Sequence, residues 1–122
     1  MSSRALGAER IVRDARRNTN DALRTGRFMS GENMEHMSLA IQEASAGIKA
    51  GDGGPFGAVV SRGGEVLSSA HNMVLRENDP TRHAEIIAIS EAARKSGTFD
   101  LSGCVLYTTT EPCPMCFSAI HW

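Results

Sequence analysis

With 122 residues the chain is long enough for one small domain, and 41% hydrophobic against 22% charged residues is the balance of a globular protein with a packed core. The sequence holds no run of 18 apolar residues and no apolar signal core near its start, which excludes a helical membrane span and points to the cytoplasm. The net charge of −1 hides an asymmetry: residues 1–28 carry seven arginines against three acidic side chains, whereas the remainder carries six basic and eleven acidic ones. A body that acidic is poorly suited to gripping a phosphate backbone and better suited to a small neutral ligand.

Residues 1–28 are rich in Arg and Asn, with only a weak helical stripe at Leu6, Ile11, Val12 and Ala15, and read as a basic tail or as sequence upstream of a start at Met29. The domain proper is expected over 29–122. Met34, Met37, Ile41, Ala44 and Ile48 recur at three- and four-residue steps and predict an amphipathic helix from Asn33 to the Gly51-Asp52-Gly53-Gly54 cluster. Phe56–Ser61 and Val66–His71 read as a hairpin turning at Arg62-Gly63-Gly64-Glu65. Residues 72–80 are expected to be a loop, and Asp79-Pro80-Thr81 opens a helix through Ser96 that buries Ile86, Ile87, Ile89, Ala92 and Ala93. After Gly97, Cys104–Thr109 is a buried strand, and Pro112 opens a last helix to Trp122. Helix, hairpin, helix, strand, helix is the order of an α/β domain with helices packed on a central sheet. The chain stops within its last helix.

Three cysteines make no even disulfide set, and Cys113 and Cys116 form a Cys-x-x-Cys pair, which in a chain with no export signal indicates metal or redox chemistry. Three apart on a helix, the two share a face, and a helix N-terminus favours the thiolate that metal binding requires. With His83 they make a three-ligand zinc set that leaves the fourth position open, as catalytic zinc sites do. Glu85, two residues beyond His83, is off the ligand face and better placed beside the metal than on it. His-x-Glu followed by Pro-Cys-x-x-Cys is the signature of the zinc deaminases. The alternative is a buried cysteine pair with a surface histidine. His36, His121 and Cys104 are assigned to packing or surface, and His71 is left open between a structural role and the edge of the site.

Residues from about 34 to 122 resemble the cytidine and deoxycytidylate deaminase superfamily and, within it, the bacterial-type guanine deaminases. The matching segments are Gly54-Pro55-Phe56-Gly57-Ala58-Val59-Val60, Asn78-Asp79-Pro80-Thr81-Arg82-His83-Ala84-Glu85, Glu111-Pro112-Cys113-Pro114-Met115-Cys116 and Ala119-Ile120-His121-Trp122. Phe56, Asn72 and Trp122 tilt the likeness toward guanine deaminase, since the similar tRNA-adenosine deaminases usually carry valine at the Phe56 position and lack the tryptophan.

The resemblance implies a three-layer α/β/α domain with a central mixed sheet, truncated here at its C-terminus. It implies Zn2+ held by His83, Cys113 and Cys116, with Glu85 as proton shuttle. A purine base would be bound by Asn72 through a polar edge, by the backbone around Ala84, by Phe56 on its ring face and by Trp122 as a wall. The expected reaction is guanine to xanthine plus ammonia, in a homodimer that binds neither nucleic acid nor membrane. Two alternatives stay open: deamination of adenosine in tRNA or of another nucleobase or nucleoside, and an inactive zinc-binding fragment lacking the C-terminal part of the fold.

Overall fold

The computed structural model of the protein describes Val12–Asp14 and residues 31–122. In chain order the elements are β1 (Val12–Asp14), α1 (Gly31–Ala50), β2 (Gly57–Arg62), β3 (Glu65–His71), α2 (Val74–Glu77), α3 (Ala84–Ser96), β4 (Val105–Thr108) and α4 (Pro114–His121). They build one mixed four-stranded sheet of order β1-β4-β2-β3. The hairpin β2–β3 is antiparallel and pairs Arg62 with Glu65 across its turn, where Gly63 (φ 56°) and Gly64 (φ 86°) both take the left-handed conformation that a tight two-residue hairpin demands. β2 is also antiparallel to β4, with Ala58 opposite Thr108, whereas β1 runs parallel to β4, with Val12 opposite Leu106. Of the first 28 residues, Val12–Asp14 thus form an edge strand, and the rest of the expected tail lies outside the described residues.

Alternation along the strands divides the core into two halves. Val59 and Tyr107 face α1 and pack with Met37 and Ala40. Ala58, Val60, Ala70 and Leu106 face the opposite way and pack with Ala84, Ile87, Ala88 and Ala92 of α3 and Ile120 of α4. The result is the expected α/β/α layering. Among the described residues no helix is long and apolar enough to cross a membrane.

Two elements differ from the sequence reading. Met34, Ile41 and Ile48, expected on the buried stripe of the first helix, are more than half exposed, and the face against the sheet is His36, Met37, Ala40, Ala44 and Gly47. The cause is proximity: a Cβ on Gly57 would sit 1.9 Å from the Ala40 carbonyl oxygen, and one on Gly47 would sit 2.7 Å from the His71 ring. Around Ala40, Ala44 and Gly47 the closeness of the sheet therefore favours small side chains on the inward face of α1. The second difference follows Asn72, where the expected loop contains the single-turn helix α2. The next helix begins only at Ala84, because the Asp79 carboxylate accepts from the N–H and hydroxyl of Thr81 within a local turn instead of capping a helix.

Candidate metal centre and adjoining cleft

Each half of the His83/Cys113/Cys116 set sits where chain enters a helix. His83 is the N-cap of α3 and Cys113 the N-cap of α4, both in extended conformation. Pro114 follows at the first helical position, where its missing N–H costs nothing, and the Cys113 sulfur accepts from the Cys116 N–H at 3.5 Å. Ile120 of α4 packs in the same core cluster as α3, so the two helix starts are brought together. Nδ1 of His83 lies 3.6 Å from Cys113 Sγ and 3.5 Å from Cys116 Sγ, and a ligand atom from each residue falls within a 4.8 Å triangle. One imidazole and two thiols converging at that spacing fit zinc, with a coordination position to spare.

The two cysteines differ in surroundings. Cys116 is fully buried, and its thiol is held far above the ordinary cysteine range, first by burial, then by the Glu85 charge and by Cys113. The thiol keeps its proton and donates to Glu85 Oε2 at 3.5 Å. Glu85, in the first turn of α3 and only 5% exposed, is thus beside the triad, as its spacing from His83 requires. Its other oxygen, Oε1, accepts from the Thr108 hydroxyl at 2.8 Å.

Glu85 and His83 line a cleft of about 140 Å³ together with Phe56, Asn72, Thr110, Glu111 and Cys113. The strand ends that carry these walls are tied together: the Gly57 N–H donates to Thr109 Oγ1 and the Thr109 N–H to the Gly57 carbonyl, both at 3.2 Å. Asn72 is 5% exposed and its Oδ1 accepts from the Val74 N–H at 3.0 Å, which leaves the amide NH2 as the group for a ligand. Of the residues singled out in the sequence, Phe56, Asn72, His83, Glu85 and Cys113 therefore line one cleft, with Cys116 buried behind it. Ala84 is buried in the core between α3 and the sheet. Trp122, at the end of α4, is 84% exposed and is not among the lining residues.

His71, one residue before Asn72, is structural. Its Nδ1 meets Glu43 Oε2 and its Nε2 meets Asp52 Oδ2, both at 2.7 Å. Partial burial alone would lower the His71 pKa. The hydrogen bonds to Glu43 and Asp52, together with their charges, outweigh it and hold the pKa above the usual histidine value. The same contact with His71 holds Asp52 below the usual carboxylate value; burial opposes this and the Arg76 charge adds to it. The Asp52 carbonyl accepts from the N–H groups of Leu75 and Arg76, so the cluster joins α1, β3 and α2 beneath the Asn72 wall. The remaining histidines are packing residues: His36 is buried edge-on against Tyr107, and His121 stacks edge-on against Phe117. Cys104 is buried in the core.

Sequence reasoning did not single out Thr108, Thr110 or Glu111. For Thr108 a signal was available in the strand alternation, which puts it on the face of Leu106, toward the helix that carries Glu85.

Residues 30–122 match the family described as the cytidine and deoxycytidylate deaminase zinc-binding region. The chain is 48% identical over 86 residues to a guanine deaminase of Bacillus subtilis, an alignment spanning 70% of this chain and 55% of that protein. It is 45% identical over 84 residues to a tRNA-specific adenosine deaminase of Aquifex aeolicus, spanning 69% and 55%. Among solved structures, the Bacillus subtilis guanine deaminase superimposes with a TM-score of 0.72 at 45% identity, over 77% of this chain and 59% of that one. The chain thus spans about half the length of the curated relatives it matches.

Proposed function

This chain belongs to the cytidine and deoxycytidylate deaminase family, and we propose that it carries the zinc-dependent hydrolytic centre of a deaminase acting on a free purine base, guanine being the favoured substrate and xanthine and ammonia the products. The observation that carries this is the placement of the Glu85 carboxylate, with Oε2 3.5 Å from Cys116 Sγ of the His83/Cys113/Cys116 triad and Glu85 lining the same cleft as His83 and Cys113. A zinc ion held by those three residues would supply the Lewis acid that makes water nucleophilic near neutral pH. Glu85 then takes a proton from the attacking water at Oε2 and delivers it to a ring nitrogen of the base. The water oxygen bonds to the amine-bearing carbon, Glu85 carries the proton of that new hydroxyl to the amine, the carbon–nitrogen bond breaks, and the nitrogen leaves as ammonia, with a carbonyl left on the carbon. Phe56 offers a ring face for a flat heterocycle and the Asn72 amide a donor for its edge.

The cleft, at about 140 Å³, is well below the roughly 300–1,000 Å³ of sites for larger ligands and suits a single heterocycle. The acidic balance of residues 29–122 also favours an uncharged base over a polynucleotide. Adenosine in tRNA is the second reading, favoured by the 45% identity to the Aquifex aeolicus protein. Free thiols at Cys113 and Cys116 suit a reducing compartment, so we place the protein in the cytoplasm, and we expect a homodimer.

The test is ammonia release by zinc-loaded protein from guanine, adenine, cytosine, cytidine, guanosine and a tRNA bearing the target adenosine. Release from guanine supports the proposal, and release from tRNA alone replaces the substrate. Silence across the panel with zinc bound overturns catalysis by this chain.

A further inference from the structure

We propose that Thr108 is the positioning residue of the Glu85 carboxylate: its hydroxyl holds Oε1 so that Oε2 is presented to the His83/Cys113/Cys116 triad. Thr108 is the last residue of β4 and is fully buried. Pairing with Ala58 puts it on the face of the sheet that packs against α3, whose first turn carries Glu85. Its Oγ1 lies 2.8 Å from Glu85 Oε1 and 3.0 Å from the Thr110 carbonyl oxygen. A hydroxyl has one proton, and of two acceptors at these distances a carboxylate forms the stronger bond.

The geometry gives this one contact leverage. The terminal torsion of a glutamate is broad and roughly two-fold, so an unheld carboxylate samples many orientations. Threonine is stiff at its first side-chain torsion, and Thr108 is set in a strand paired on both sides, so its hydroxyl is a fixed point. Binding Oε1 to a fixed point sets where Oε2 sits, and catalysis is sensitive to misplacement on the scale of an ångström. Its neighbours are engaged elsewhere: Thr109 Oγ1 accepts from the Gly57 N–H, and the Thr110 hydroxyl donates to the Glu111 carbonyl.

The role of Thr108 rests on the deaminase reading above, and the test separates the two. Thr108→Val removes the hydroxyl at nearly constant shape, and Thr108→Ser keeps it. The expected result is a loss of kcat in Thr108→Val of about 10- to 100-fold, typical of losing an outer partner of a metal site. KM and bound zinc should stay near the wild-type values, and Thr108→Ser should recover most of the rate. Urea unfolding of the metal-free wild type, Thr108→Val, Glu85→Ala and the double variant reads the contact without any turnover, and the two substitutions should be non-additive. Additive unfolding energies would remove the contact. A Thr108→Val enzyme with wild-type kcat, or a Thr108→Ser variant as slow as Thr108→Val, would remove the positioning role. A wild-type chain silent on every amine would overturn the deaminase reading and the positioning role with it, and a non-additive cycle would then mark a structural hydrogen bond alone.

Discussion

Gly57→Ala adds one methyl group where α1 lies closest to the sheet. The added Cβ would stand 1.9 Å from the Ala40 carbonyl oxygen and 2.8 Å from the Ala44 nitrogen, against an ordinary contact of at least 3.4 Å, so helix and strand must separate by about 1.5 Å. The obstructing atoms are helix backbone, which cannot swing aside as a side chain can. Separation would lift Met37 and Ala40 from Val59 and Tyr107, the buried cluster on the α1 side of the sheet. Overpacking typically costs about 1–3 kcal/mol, and a clash with backbone belongs at the upper end. For a domain of this size about 3 kcal/mol lowers the melting temperature by roughly 10 °C. The sign is diagnostic, because replacing glycine by alanine at an unstrained position stabilises by about 0.4–1 kcal/mol through the unfolded chain. Urea and thermal unfolding read the effect directly. A Gly57→Ala protein within about 0.5 kcal/mol of wild type would refute the close seating of α1 and the explanation of its small-residue face.

Glu85→Ala should keep its zinc and lose about 10²–10⁴-fold in kcat, read by metal analysis beside ammonia release; turnover near the wild-type level would dismiss Glu85 as proton carrier. Because the Cys116 thiol is held protonated by burial, by Glu85 and by Cys113, zinc binding must release its proton, so affinity should rise with pH between about 6 and 8 and an unbuffered indicator should report acid on loading; pH-independent affinity would argue against Cys116 as a ligand. His71→Gln should cost stability in a defined window. The raised pKa of His71 means that its contribution is complete below the ordinary value of 6.5 and is lost as pH rises through the raised folded value. The lowered pKa of Asp52 means that its contribution is complete above the ordinary value of 3.8 and is lost as pH falls through the depressed folded value. Urea midpoints of wild type and His71→Gln should therefore differ most between pH 3.8 and 6.5 and converge on the alkaline side; a gap that widens with pH would contradict a charged His71.

His83 meets Cys113 and Cys116 across 30 and 33 positions, and that meeting was legible only because the two motifs together resemble those of a known family. The cysteine pair of the candidate centre was legible because it is local, Cys113 and Cys116 sharing one turn. The strand order of the hairpin was legible for the same reason, since Gly63-Gly64 specifies a tight turn between two apolar runs. The inward face of α1 was not. The expected stripe joins residues of two rows: Met37 and Ala44 are buried, whereas Met34, Ile41 and Ile48 lie on an exposed row beside them and Ala40 takes their place. What decides between the rows is a glycine 17 residues beyond Ala40, and nothing in the helix itself announces it.

The same division separates the two motifs from the contacts around them. The spacing within His-x-Glu and within Cys-x-x-Cys is written in the chain, but Thr108 reaches Glu85 across 23 positions and His71 reaches Glu43 across 28. Such contacts need the sheet register and the seating of both helices before either partner is in reach. Thr108 comes within reach because β2 pairs with β4 so as to place it opposite Ala58, on the α3 side; a one-residue slip would turn its hydroxyl toward α1 and leave the buried Glu85 oxygen without that donor. On the proposed role of Thr108, the register of a strand that holds none of the candidate ligands would govern the orientation of the carboxylate beside the candidate metal centre. Substitutions that disturb the β2–β4 pairing should for that reason lower kcat, read by ammonia release, more steeply than they lower zinc content, read by metal analysis; an equal fall in both would refute the link.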